Sequence, residues 1–151
     1  MKTSHTTFLV ITMLLMASLS SPTHGLILDG LRIGSIRING VLFCSFNGNL
    51  IGNSPPLSGA VVQLSCAGAT TDLGQAVTNP AGVFVITLRL LDTILFDPST
   101  CFIRLNLPIA TCAVLPPDGA LTASLILVNI VQNLLGNIAN FTVTPFINTI
   151  L

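Results

Sequence analysis

Apolar residues in this chain come in short runs closed by small, polar or turn-forming residues, a spacing that predicts strands. Ile36 to Phe46 is rich in Ile, Val, Leu and Phe and ends in the turn signal Asn47, Gly48 and Asn49. An uncharged loop from Gly52 to Gly59, carrying Pro55 and Pro56, precedes a second run, Ala60 to Cys66. Thr70 to Thr78 is a weaker run. Asn79-Pro80-Ala81-Gly82 is turn chemistry, because Pro presets φ early in the turn and Gly accepts φ > 0 where the chain leaves it. Val83 to Leu91 alternates loosely, with Phe84, Ile86 and Leu88 on one face and Val85, Thr87 and Arg89 on the other. Cys101 to Leu107 is a further strand, ended by Pro108. Several short strands at this spacing predict a sandwich or barrel.

The C-terminal third is ambiguous. Leu121 to Ile130 reads as a strand, yet Leu127, Ile130, Val131, Leu134, Leu135 and Ile138 fall at helical spacing, with Asn129, Gln132, Asn133 and Asn137 opposite. The expectation is a strand passing into a loop or short helical turn, then a last strand near Phe141 to Phe146. Ala120 to Ala139 has the length of a membrane span, but its interrupting Asn and Gln and the lack of a basic flank argue against a transmembrane segment or a removed anchor signal.

The first residues read differently. Lys2, the apolar stretch Phe8 to Met16 with Leu19, and the small residues from Ser20 to Gly25 around Pro22 are the three parts of a secretory signal. Cleavage is expected after Gly25, or alternatively after Ser20. Residues 26–151 then form a single domain, large enough to bury a real core.

Removing residues 1–25 changes the chemistry. The remainder contains no His, Lys, Glu, Tyr or Trp; its charges are four Arg and five Asp, a formal net of −1. Acid–base catalysis at neutral pH relies mostly on His, tuned carboxylates or Lys, and a Ser or Cys nucleophile needs an adjacent base. Asp29, Asp72, Asp92, Asp97 and Asp118 are dispersed, as solvated turn residues and ion-pair partners are. No catalytic residue and no cofactor site is expected, and the protein reads as one that acts through its surface. Hydrophobic residues at 51% and charged residues at 7% favour self-association and adhesion to apolar interfaces. Arg32, Arg37, Arg89 and Arg104 read as scattered salt-bridge donors or solvated strand positions. No basic patch for nucleic acid, and no basic amphipathic surface for membrane disruption, is legible at this net charge.

Cys44, Cys66, Cys101 and Cys112 are an even set, which in a secreted chain is a disulfide framework with three connectivities open. A zinc site is disfavoured, since there is neither a CxxC pair nor a His after residue 25. Asn140-Phe141-Thr142 is a glycosylation sequon.

The segment Gly40-Val-Leu-Phe-Cys-Ser-Phe-Asn-Gly-Asn-Leu50 resembles the phylloplanins, plant leaf-surface proteins, and more distantly the pollen-allergen and extensin-like family typified by the olive-pollen allergen. Gly59 to Cys66, Thr78 to Phe84, Cys101 to Pro108 with Cys112, and Leu125 to Asn129 match in register, covering roughly residues 39 to 130. The broader family carries a further cysteine pair, absent here: Asn47 stands at one position and no C-terminal cysteine exists. The resemblance implies bonds Cys44–Cys112 and Cys66–Cys101 and a seven-stranded antiparallel β-barrel or sandwich. It also implies a secreted plant-surface defence protein that inhibits oomycete or fungal spores, with leaf cuticle or cell wall and microbial spores as partners. A cell-wall or pollen-type structural module and a carrier of an apolar small molecule are the alternatives.

Overall fold

The computed structural model describes residues 26–69, 71–89, 96–134 and 136–149. The leader expected over residues 1–25, Asp92, and the ends of the runs at Thr70, Leu91 and Leu135 lie outside the described residues.

Nine strands and no helix make up the described chain: β1 Leu26–Leu28, β2 Leu31–Val41, β3 Val61–Cys66, β4 Gly74–Val77, β5 Val83–Arg89, β6 Cys101–Asn106, β7 Ala120–Asn133, β8 Gly136–Val143 and β9 Ile147–Thr149. They form one sheet in the order β1-β2-β8-β7-β6-β3-β4, with β5 also on β2 and β9 also on β7. Since Ile33 pairs with both β1 and β8, β1 and β5 must follow one another along one edge of β2 while β8 takes the other. The sheet curls into a half-barrel whose margins, β4 and β5, touch without sharing a ladder.

The expected architecture is corrected in three respects, the first being that the described residues form nine strands and not seven. The sheet is mixed, because β2 and β8 run parallel, Ile36 beside Ala139 and Ile38 beside Phe141. Two strands about a hundred residues apart can pair in either direction, and nothing local in the sequence records which. The C-terminal third is also a long hairpin: β7 runs on to Asn133, β8 begins at Gly136, and the last strand is not Phe141 to Phe146. The helical spacing arises from a bulge between Leu127 and Asn129. An extra residue inverts strand parity, so the half-buried Leu127 and Ile130 share the inner face although three residues apart.

Alternation builds the core. Ile36 and Ile38 of β2, Val62 and Leu64 of β3, Phe84 and Ile86 of β5, Ile103 and Leu105 of β6, Leu121 of β7 and Phe141 of β8 all point inward and are buried. Each such burial contributes about 1.5–3 kcal/mol. Phe84 packs edge-on against Phe146 with centroids 6.5 Å apart, and Phe96 against Phe141 at 5.8 Å. Gly40 makes room for the first pair, since a Cβ there would lie 2.2 Å from Cζ of Phe84.

The β4–β5 turn is held as its sequence predicts. Asn79 Oδ1 accepts from the amides of Ala81 and Val83, both at 2.9 Å, and Gly82 adopts φ +78°. In the interruption between β8 and β9, the Asn49 side chain stands in for a strand: its Nδ2 donates to the Phe146 carbonyl at 2.9 Å and its Oδ1 accepts from the Phe146 amide at 2.8 Å.

Candidate functional surface

The described carboxylates stand apart, each in its own role. Asp72 accepts from Ser65 Oγ at 2.6 Å and pairs with Arg104 at 3.4 Å. Asp97 accepts from Ser99 Oγ at 2.7 Å and from its amide at 3.0 Å; these bonds, the hydroxyl's first, hold the carboxyl below its ordinary value near 3.8. Asp29 occupies the β1–β2 turn with φ 51°, and Asp118 precedes β7. Among the described residues no group of three or more His, Cys, Asp or Glu is placed to hold a metal ion.

The cysteines form two bridges. Cys66 and Cys101 are directly opposed across β3 and β6, with Cα atoms 4.0 Å apart. Cys44, just past β2, joins Cys112 in the β6–β7 connection, closing a span of 68 residues. Asn140 lies on the outer face of β8, where its Nδ2 donates to Asn129 Oδ1 at 2.8 Å.

The arginines depart from the scattered reading. Arg104 alone makes an ion pair among the described residues; the other three gather on the outer face of β2 and β5. A second bulge, between Ile33 and Ser35, is the cause. Ile33 and Ile36 are both buried although three residues apart, so parity inverts between them and Arg32 and Arg37, five apart, both emerge exposed on the outside. Register then sets Arg89 of β5 beside Ser35, two positions along β2 from Arg37.

Across β8 and β7 the same face turns apolar. One row runs Val131, Ile138, Ser35, Arg89, and the next runs Asn129, Asn140, Arg37, Thr87. Ile126, Val128 and Val131 are 46, 59 and 46% exposed, and Leu134, where β7 turns toward β8, is fully exposed. A depression of about 600 Å³ lies over the first row, with Gly34, Ser35, Arg89, Gly136 and Ile138 among its lining residues. None of β2, β5, β7 and β8 contains a carboxylate. The face is therefore a basic strip beside an aliphatic one, separated by Asn, Ser and Thr. The one sequence signal for it is the three-residue interval between inward isoleucines at 33 and 36.

Comparison with known proteins places this surface in a family. The family model described as phylloplanin antifungal protein matches residues 32–150. A tobacco (Nicotiana tabacum) protein named phylloplanin is 40% identical over 101 residues, 64% of this chain and 63% of that protein. The crystal structure of the major plantain pollen allergen Pla l 1 aligns over 72% of this chain and 94% of its own, at 17% identity and a TM-score of 0.38. With its family match running from the second residue of β2 to beyond β9, this chain belongs to the phylloplanin family.

Proposed function

We propose that the protein is a secreted plant-surface defence protein, released after loss of residues 1–25, that inhibits germination or growth of oomycete or fungal spores without catalysis. The family match over residues 32–150, to a model described as antifungal, carries this reading. Two features support the non-catalytic part. Beyond residue 25 there is no His, Lys or Glu, and the described carboxylates are engaged singly in turns or in one ion pair. An uncharged aliphatic surface on a disulfide-tied sheet suits adhesion to an apolar cuticle.

The test is a spore-germination assay with the purified secreted protein. Inhibition should scale with the amount of protein and should not accumulate as turnover. Asp→Asn changes made singly at Asp29, Asp72, Asp92, Asp97 and Asp118 should each leave it intact, and reduction of the bridges should abolish it. A folded Asp→Asn variant without inhibition, or soluble product released from spore walls in excess of the protein, overturns the reading.

A further inference from the structure

We propose that the end of the sheet formed by the last residues of β7 with Leu134, the first of β8 and the start of β2 is a docking site for a bilayer containing anionic phospholipid. The inference deepens the surface-acting reading above by naming the partner. Leu134 stands fully exposed at the tip, with Val131 and Val128 exposed behind it on the outer face. Arg32, Arg89 and Arg37 lie on the same face across β8, and no ion pair occupies them among the described residues. Aliphatic side chains at the tip enter the boundary between headgroups and acyl chains, and guanidinium groups beside them meet phosphates in bidentate geometry.

Net charge does not oppose this. Screening confines each charge to about 8–10 Å at physiological salt, so a bilayer senses the face presented to it and not the total of −1. Asp29, in the β1–β2 turn, is the described carboxylate nearest this face along the chain. A second copy is the weaker candidate, because pairing this face with itself would bury the arginines against strands that carry no carboxylate to meet them.

Flotation with lipid vesicles tests the site independently of any spore assay, so failure of one does not carry over to the other. The intact secreted protein should float with phosphatidylcholine vesicles containing about a third phosphatidylglycerol, and far less with pure phosphatidylcholine. Arg32→Gln, Arg37→Gln and Arg89→Gln should each weaken partitioning about fivefold, and Leu134→Asp about tenfold or more. Asp29→Asn should strengthen it, and raised salt should weaken it. All five positions are exposed or in a turn, and unchanged thermal unfolding establishes that each variant is folded. Equal binding to neutral and anionic vesicles, no binding to either, or binding that ignores both the arginines and Leu134 overturns the proposal. A lipid-free dimer that Leu134→Asp dissolves, with no flotation, assigns the face to self-association instead and overturns it as well.

Discussion

The two halves of β7 share one strand and little else. From Ala120 to Ser124 it pairs with β6 on one edge, and from Ala120 to Thr122 also with β9 on the other, and Ala120, Leu121 and Ala123 are buried. From Leu125 to Asn133 it pairs with β8 on one edge and with no described strand on the other, and its outward residues Ile126, Val128 and Val131 are exposed. Composition does not separate the halves, since both are aliphatic and uncharged. Surroundings do: the first half is scaffold, and the second is surface that happens to be hydrophobic.

The contrast is broken most severely from the scaffold side. Phe84→Ala empties the space over Gly40 and should cost about 3–5 kcal/mol, the range for removing a buried aromatic ring; urea unfolding measures it. Replacing Cys44 and Cys112 together by Ala, which opens the longer span, should cost about 2–4 kcal/mol. Gly82→Ala combines a positive φ with a Cβ placed 2.3 Å from the Leu42 carbonyl oxygen, and a loss of about 1–3 kcal/mol is expected. On the surface side, Ile126→Thr and Val128→Thr should leave stability within about 0.5 kcal/mol of the parent. A loss above about 2 kcal/mol at either position would make the outer half of β7 part of the scaffold and erase the distinction.

The smallest effect concerns pH. The carboxyl of Asp97 is depressed in the folded protein, so its contribution to stability is present above the ordinary Asp value and is lost as pH falls through the lower folded value. Ser99→Ala should move its titration up toward the ordinary range, readable by NMR; the stability of each protein should stay flat between about pH 6 and 8, with the variant slightly below the parent there, and the difference should vanish as pH falls through the folded value.

Much of the scaffold half is legible in the sequence. The Asn79 to Gly82 turn, the alternation through Phe84, Ile86 and Leu88, and the run at Cys101 are local patterns, and local patterns survive folding. The surface half is legible only as a strand running to Ile130, and the rest is hidden for two physical reasons. Strand reading assumes unbroken alternation, and each bulge inserts one residue that inverts it; between Leu127 and Asn129 this imitates a helix, and between Ile33 and Ser35 it hides the convergence of Arg32 with Arg37. The parallel pairing of β2 with β8 joins segments a hundred residues apart, so the placement of Arg37 beside Asn140 leaves no trace in either segment alone.

The bridge between Cys66 and Cys101 has a consequence for fidelity of assembly. Because the two residues face each other directly across β3 and β6, the bond serves as a covalent record of alignment. A slip of one position would send Ile103 and Leu105 outward and Arg104 into the interior, and the bridge forbids it for as long as the sulfurs stay joined. β7 is laid down against β6, and β8 against β7, so an error made at the first pair would be copied along the sheet to the arginine-bearing face. Oxidation at one point thus guards the geometry of a surface on the far side of the molecule.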